Sequence, residues 1–324
     1  MKLSILDQIP ISTGQTEKEA LEASIQLAKL GDELRYERFW VAEHHDLFGL
    51  ACPNPAIMLG VIGAQTEKIR LGAGAVLLPY YKPFHVAETY QLLETLYPGR
   101  IDIGLGRAPG GPAEVSMALS DNYLAGVRKF SEHIDELHMF LHDTFPTDHP
   151  YHKVTPTPVP KNAPKTWLLG TSEKSAQLAA EKQMNYVFGH FMTDLDGPAI
   201  VQQYNEKRGE KGYVIVAVHV ICAASTEAAE LLAKSVLLWK ERQHHPHAPQ
   251  TIPSIKEVEQ YPFTKTQWEK AHTSIVIGNP REVAEKLNEI QTVYNADELM
   301  IVTITHDPVA KQQSYQLLAQ EIIR

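Results

Sequence analysis

The sequence predicts an α/β fold, a (β/α)8 (TIM-type) barrel, on three observations. Eight short β-rich runs recur along the 324 residues. Stretches with helical periodicity lie between them, and such alternation implies parallel strands joined by right-handed crossovers. The count of eight favours a closed barrel, which a chain of this length can form as a single domain over residues 1–324. An open doubly wound sheet is the alternative that the same alternation allows.

In chain order, KLSILD (2–7) supplies the first strand, and TEKEALEASIQLAKLGDEL (16–34) follows as a helix capped by Thr16. Leu21, Ile25, Ala28 and Leu34 fall on one face of that helix. RFWVAE (38–43) is the second strand, IRLGAGAVLL (69–78) the third, and VAETYQLLETL (86–96) the helix after it. RIDIGLG (100–106) and KTWLLG (165–170) are the fourth and fifth strands. SEKSAQLAAEK (172–182) then opens as a helix on Ser172, before the sixth strand NYVFGH (185–190). YVIVAVHVICA (213–223) is the seventh, followed by the helix TEAAELLAKSVLLWK (226–240). NPREVAEKLNEIQTVY (279–294) starts on Asn279 with Pro280 next, a helix opening, and LMIVTIT (299–305) is the eighth strand.

Two stretches exceed what a barrel requires. Residues 143–164 are proline-rich and precede strand five, and residues 241–273 lie between strands seven and eight. Long connections in a compact domain tend to be active-site covers or disordered, and 241–273 is a candidate lid.

Composition narrows the function. The formal net charge is −9, from 39 acidic against 30 basic residues, which argues against nucleic acid as a partner. No apolar run approaches the roughly 20 residues that cross a bilayer. The opening MKLSILDQIPIS breaks at Pro10 and does not read as a signal peptide. Cys52 and Cys222 are the only cysteines and form no CxxC, so a cytoplasmic setting is expected.

Chemistry in such barrels gathers at the carboxyl ends of the strands. Strand two ends in Glu43-His44-His45-Asp46, strand four in Gly106-Arg107, strand five in Gly170-Thr171-Ser172 and strand six in Gly189-His190. A glycine followed by two hydroxyl residues at a helix start can be ordinary capping, or an anion site on free backbone N–H groups. Arg107 at the adjacent strand end favours the second, since a guanidinium clamps phosphate in bidentate fashion. Its alternative is an ion pair with Asp102 or Glu43. Gly72 and Gly74 inside strand three admit close packing, or a flat ligand lying against Gly74-Ala75. Consecutive residues on a strand point oppositely, so His44 and His45 rarely reach one metal ion, and HxH and HExxH are absent there. His245 and His247 form an HxH within a proline-rich loop, where solvated histidines are the simpler reading. No metal site is expected, and general acid–base work by one histidine fits better. GLGRAP misses the dinucleotide pattern GxGxxG at Pro109, and GxxxxGK[ST], GxSxG and SxxK are missing.

WVAEHHD, LGAGAVLLPYYKPFHVAE, LETLYPGRIDIGLGRAPGG, WLLGTSEKSAQLAAE and DELMIVTITHD together resemble the bacterial-luciferase-like family of flavin-dependent monooxygenases. The blocks span nearly the whole chain in order, and GRAPGG marks one large branch of that family. The resemblance implies FMN bound non-covalently, as FMNH2 from a separate flavin reductase, reacting with O2 to a C4a-hydroperoxide that oxygenates a small organic substrate. It assigns His44 to catalysis, Gly74-Ala75 to a cis peptide against the flavin ring, and Arg107, Gly170, Thr171, Ser172 and Ser175 to a phosphate cradle. His45, Tyr80, His190 and Phe191 are expected on the substrate side. Gly106 stands where the luciferase α chain carries a reactive cysteine, so chemistry ascribed to that thiol is absent. A homodimer is implied. Three alternatives remain at this stage: a deazaflavin-dependent oxidoreductase on the same fold, a flavin-binding protein without turnover, and a metal-dependent hydrolase.

Overall fold

The computed structural model describes residues 1–209, 212–243, 245, 248–264, 266–268 and 274–323. Eight parallel strands close on themselves. They are β1 (Leu3–Asp7), β2 (Arg38–Val41), β3 (Arg70–Leu77), β4 (Ile101–Gly106), β5 (Lys165–Gly170), β6 (Asn185–Gly189), β7 (Val214–Cys222) and β9 (Glu298–Val302). Pairing of β6 with β7, and of β7 and β1 with β9, completes the ring, so the doubly wound alternative is excluded. A ninth strand, β8 (Val276–Gly278), pairs with β7 only at Val220–Cys222. Three residues are too few to show a period, so this strand left no sequence signal.

Around the ring lie α1 (Glu17–Glu33), α2 (Pro55–Gly63), α3 (Pro83–Leu96), α4 (Ala113–Leu119), α5 (Tyr123–Arg128), α6 (Phe130–His142), α7 (Glu173–Glu181), α8 (Gly197–Lys207), α9 (Thr226–Gln243), α10 (Ile255–Glu259), α11 (Pro280–Tyr294) and α12 (Pro308–Leu318). Thr16, Ser172 and Asn279 each cap their helix with a capping box. The α1 stripe is rotated from the expected face. Its buried residues are Ala20, Ser24, Leu27, Ala28 and Gly31, while Leu21, Ile25 and Leu34 flank them half-buried. Close approach to the sheet explains this: a Cβ on Gly31 would come within 3.0 Å of Ile5 Cδ1.

The side-chain alternation of the strands builds two apolar layers. Ile215, Ala217 and Ile221 of β7 cluster with Trp40, Trp167 and Met300 inside the barrel. Val214, Val216, Val218 and Val220 join the layer between sheet and helices. At the amino end, charged groups fill the interior. Arg38 donates to Asp102 at 2.8 Å and to both Glu298 oxygens at 2.8 and 2.9 Å. Arg70 adds a second guanidinium on Asp102, and Arg38 stacks 4.7 Å from the Trp167 ring. Asp102 and Glu298 are fully buried. Burial alone would raise the Asp102 carboxyl, but Arg38 and Arg70 outweigh it and hold the group below the usual carboxylate range.

No helix among the described residues is long and apolar enough to cross a membrane.

Candidate active site

A cavity of about 370 Å³ opens at the carboxyl ends of the strands. It is within the size range of small-molecule and cofactor sites.

Its floor is set by β3. The peptide Gly74–Ala75 is cis, and the β3–β4 register shifts between Ala73 and Val76 around it. Both glycines of β3 are needed for packing. A Cβ on Gly72 would meet Trp40 Nε1 at 2.4 Å, and one on Gly74 would meet Leu6 Cδ1 at 2.8 Å. Gly74 and Ala75 nevertheless both line the cavity. Gly106 completes the flat surface, since a Cβ there would lie 2.8 Å from Ala75 Cβ.

The β4 end carries Arg107, exposed and lining the cavity. Neither expected ion pair forms. Asp102 is engaged at the opposite end of the barrel, and Glu43 accepts from His45 at 2.9 Å, Tyr81 at 2.6 Å and the Leu77 N–H at 3.2 Å. The Arg107 guanidinium has no hydrogen bond or ion pair among the described residues. Its loop is braced from behind: the Tyr123 hydroxyl donates to Arg107 O at 2.8 Å, and the Tyr80 hydroxyl to Pro109 O at 2.6 Å. Gly110, at φ +66, and Gly111 let this loop press onto the β2 end, where the His45 N–H donates to Gly110 O.

Thr171, Ser172 and Ser175 line the cavity at the start of α7. Ser172 caps the helix through the Ser175 N–H, and Ser175 Oγ accepts from the Ser172 N–H at 3.1 Å. Gly170 permits that fold-back, since a Cβ there would sit 2.2 Å from Ser175 Oγ. Buried Tyr186 fixes the same hydroxyl at 2.9 Å. The cap leaves the N–H groups of Glu173 and Lys174 without intrahelical partners, so capping and anion binding are compatible. Lys174 also lines the cavity, exposed and without an ion pair among the described residues. Sequence reasoning missed it, because a lysine on the first turn of a helix carries no signal of its own.

His44 lines the cavity between the floor and the β2 loop. Its Nδ1 is buried with no hydrogen-bond partner. Burial, and then the neighbouring His45, bring its pKa down to about 4, so the ring is neutral at physiological pH.

Of the four residues expected on the substrate side, Phe191 lines the cavity and the other three do not. His45 is buried against Glu43, Tyr80 stacks on Tyr123 at 4.8 Å, and His190 Nδ1 lies 2.8 Å from the Tyr294 hydroxyl. The wall instead includes Gln8, Met192 and Met300. No described residue of 241–273 lines the cavity. The described part of that segment packs on the barrel rim, where Ile252 bridges to Ser12 and the Trp239 indole donates to Gln250 O at 2.7 Å. His247, with Lys265 and residues 269–273 of the candidate lid, lies outside the described residues.

The family model described as luciferase-like monooxygenase matches residues 1–294. Among relatives from Bacillus subtilis (strain 168), the protein YceB is 40% identical over 98% of each chain. The N-acetyl-S-alkylcysteine monooxygenase of the same organism is 35% identical over 100% of this chain and 98% of its own. The crystal structure of apo-MsnO8 superposes with a TM-score of 0.91 at 32% identity, covering 99% of this chain and 98% of that one. Two more distant structures share the fold alone. The oxygenating constituent of 3,6-diketocamphane monooxygenase, in complex with FMN, gives a TM-score of 0.76 at 18% identity over 99% and 97% of the chains. An F420-dependent secondary alcohol dehydrogenase gives 0.70 at 13% over 99% and 98%. A barrel with this cavity, matched over this span and at these identities, belongs to the luciferase-like monooxygenase family.

Proposed function

We propose that the protein is an FMN-dependent monooxygenase, with the cavity holding the flavin and a small organic substrate side by side. The Arg107 guanidinium, unpaired among the described residues and lining the same cavity as the open first turn of α7, carries this reading. It is a cationic clamp that no described residue neutralises.

The residues fit the cofactor along its whole length. Arg107, Lys174 and the α7 amino end suit the terminal phosphate. The side-chain-poor surface of Gly74, Ala75 and Gly106 suits a flat ring. The orphaned His44 Nδ1 suits a hydrogen bond at the reacting end. When bound in reduced form, the flavin would activate O2 for transfer to the substrate. A separate flavin reductase would supply that form.

The chain's own contribution is positioning and proton handling. His44, held neutral by burial, can accept a proton from the reacting centre or donate through its ring N–H. Glu43 takes no direct part, because its oxygens orient His45, Tyr81 and the end of β3. Leu168, Val187 and Phe191 keep water from the centre.

The deazaflavin alternative would place a longer anionic tail beyond the phosphate. The cavity wall offers two cations there, enough for one phosphate dianion, which favours FMN. A flavin store without turnover would gain nothing from the orphaned imidazole, which favours an enzyme.

The α2–α3 surface supports a homodimer. Ile57 and Val61 on one helix, and Leu92 and Leu96 on the other, are exposed one turn apart, with Ile57 67% and Leu96 57% accessible.

Titration with FMN, followed by quenching of its fluorescence, tests the central reading. Saturable binding at micromolar concentration is expected. No binding of oxidised or reduced FMN would refute it.

A further inference from the structure

The charge inventory of the cavity bears on the substrate, which neither the family nor its relatives settle. The cations lining the cavity among the described residues are Arg107 and Lys174, and both stand at the β4–α7 end. If that end takes the flavin phosphate, both are spent, because a phosphate monoester near neutral pH carries up to two negative charges.

Among the described residues, the rest of the wall carries no further cation. Glu43 offers only carboxyl oxygens, which already accept from His45, Tyr81 and the Leu77 N–H. His44 stays neutral because it is buried. The rest of the wall at the β1, β6, β7 and β9 ends is apolar, from Leu6, Val187, Phe191, Ala217 and Met300. Gln8 breaks this pattern. It lines the cavity at the end of β1, half-buried, and its carboxamide has no partner among the described residues. A carboxamide both donates and accepts, so it can meet one neutral polar group without adding charge.

We propose that the substrate is an uncharged, mainly apolar molecule whose single hydrogen-bonding group is held by Gln8 beside His44. This rests on the flavin reading above. Carboxylates and sulfonates are disfavoured, since an anion in this wall would lie beside the Glu43 carboxyl with no cation among the described residues to meet it. Specificity here works as much by the missing cation as by the apolar fit.

The test uses compact probes that share one aromatic ring and differ in charge: acetophenone, benzoate and benzenesulfonate. Binding is read from the change in the visible spectrum of bound oxidised FMN and by calorimetry, at saturating FMN. Acetophenone is expected to bind at least about 100-fold more tightly than either anion, the scale set by burying an unpaired charge. Without FMN, benzenesulfonate is expected to bind weakly and to compete with FMN, because the clamp is then free.

Gln8→Leu should cut acetophenone affinity about tenfold, the loss of one hydrogen bond, with FMN affinity unchanged. Gln8→Glu should admit benzylammonium, which the native protein rejects, a gain that mere damage to packing does not give. Benzoate or benzenesulfonate binding within threefold of acetophenone would overturn the proposal while leaving FMN binding intact. So would no acetophenone binding at millimolar concentration, or Gln8 variants with native probe preferences. Failure of FMN itself to bind would instead remove the flavin reading and this proposal with it.

Discussion

The two ends of the barrel use the same residue types to opposite effect. At the amino end, Arg38 and Arg70 meet Asp102 and Glu298, and each of these four charges has a partner within hydrogen-bond distance. The Trp40 indole and the Tyr213 hydroxyl supply further donors to the same carboxylates at 3.2 and 3.1 Å. At the carboxyl end, Arg107 and Lys174 stand without counter-ions among the described residues, His44 keeps a buried nitrogen without a partner, and Gln8 has an idle amide. A satisfied network holds strands in register and asks for no ligand. A set of unsatisfied groups around a cavity of about 370 Å³ is a set of contacts waiting for one. An arginine's role is thus read from what already surrounds it, and the residue type alone does not decide it.

Breaking the amino end should produce the largest effect on folding. Asp102→Ala leaves Arg38 and Arg70 short of a buried counter-ion, and about 3–5 kcal/mol of stability should be lost in urea unfolding. A loss below about 1 kcal/mol would mean that the network is solvated and the contrast between the ends is false.

At the other end, His44→Ala should leave stability within about 1 kcal/mol while lowering substrate oxidation about 100-fold, the usual weight of a positioned acid–base group. Turnover at the native rate would take His44 out of the chemistry.

The acid side sharpens the comparison further. His44 is held at about 4, and His219, fully buried inside the barrel with Nε2 unpartnered, at about 3 by burial and then by Lys240. The unfolded chain protonates both near 6.5 and therefore binds more protons than the folded one below that pH. Stability should accordingly be full above about pH 6.5 and fall as pH drops towards 4. The Asp102 pairing survives this window, because its carboxyl is held below the usual range. His219→Leu should flatten the fall, gaining stability at pH 5 relative to pH 8. Parallel curves for variant and native protein would contradict the assignment.

How much of this was legible depended on whether a residue's surroundings are local in sequence. The eight barrel strands were, because strands covered on both faces read as continuous apolar runs such as VIVAVHVIC. The helix PAIMLGVIG was hidden by the same logic, since apolar residues all round leave no stripe to detect. In the site, Arg107 and Ser172 follow directly from strand ends, and Gly74-Ala75 from a glycine where bulk was expected. His45, Tyr80 and His190 sit beside cavity residues in sequence but turn to Glu43, Tyr123 and Tyr294. Those partners lie 2, 43 and 104 positions away, and only the His45 contact is even short-range. Gln8 and Lys174 had no local signature, since what marks them is the absence of a partner, a property of the folded chain.

The most direct measurement compares FMN with riboflavin, which lacks the phosphate, on the native protein and on Arg107→Ala. FMN affinity should fall about 10- to 100-fold in the variant, the weight of a charged hydrogen bond, while riboflavin affinity stays within twofold. Equal losses for both ligands, or an unchanged FMN affinity, would show that Arg107 does not hold a phosphate and that the clamp at the β4–α7 end has been misread.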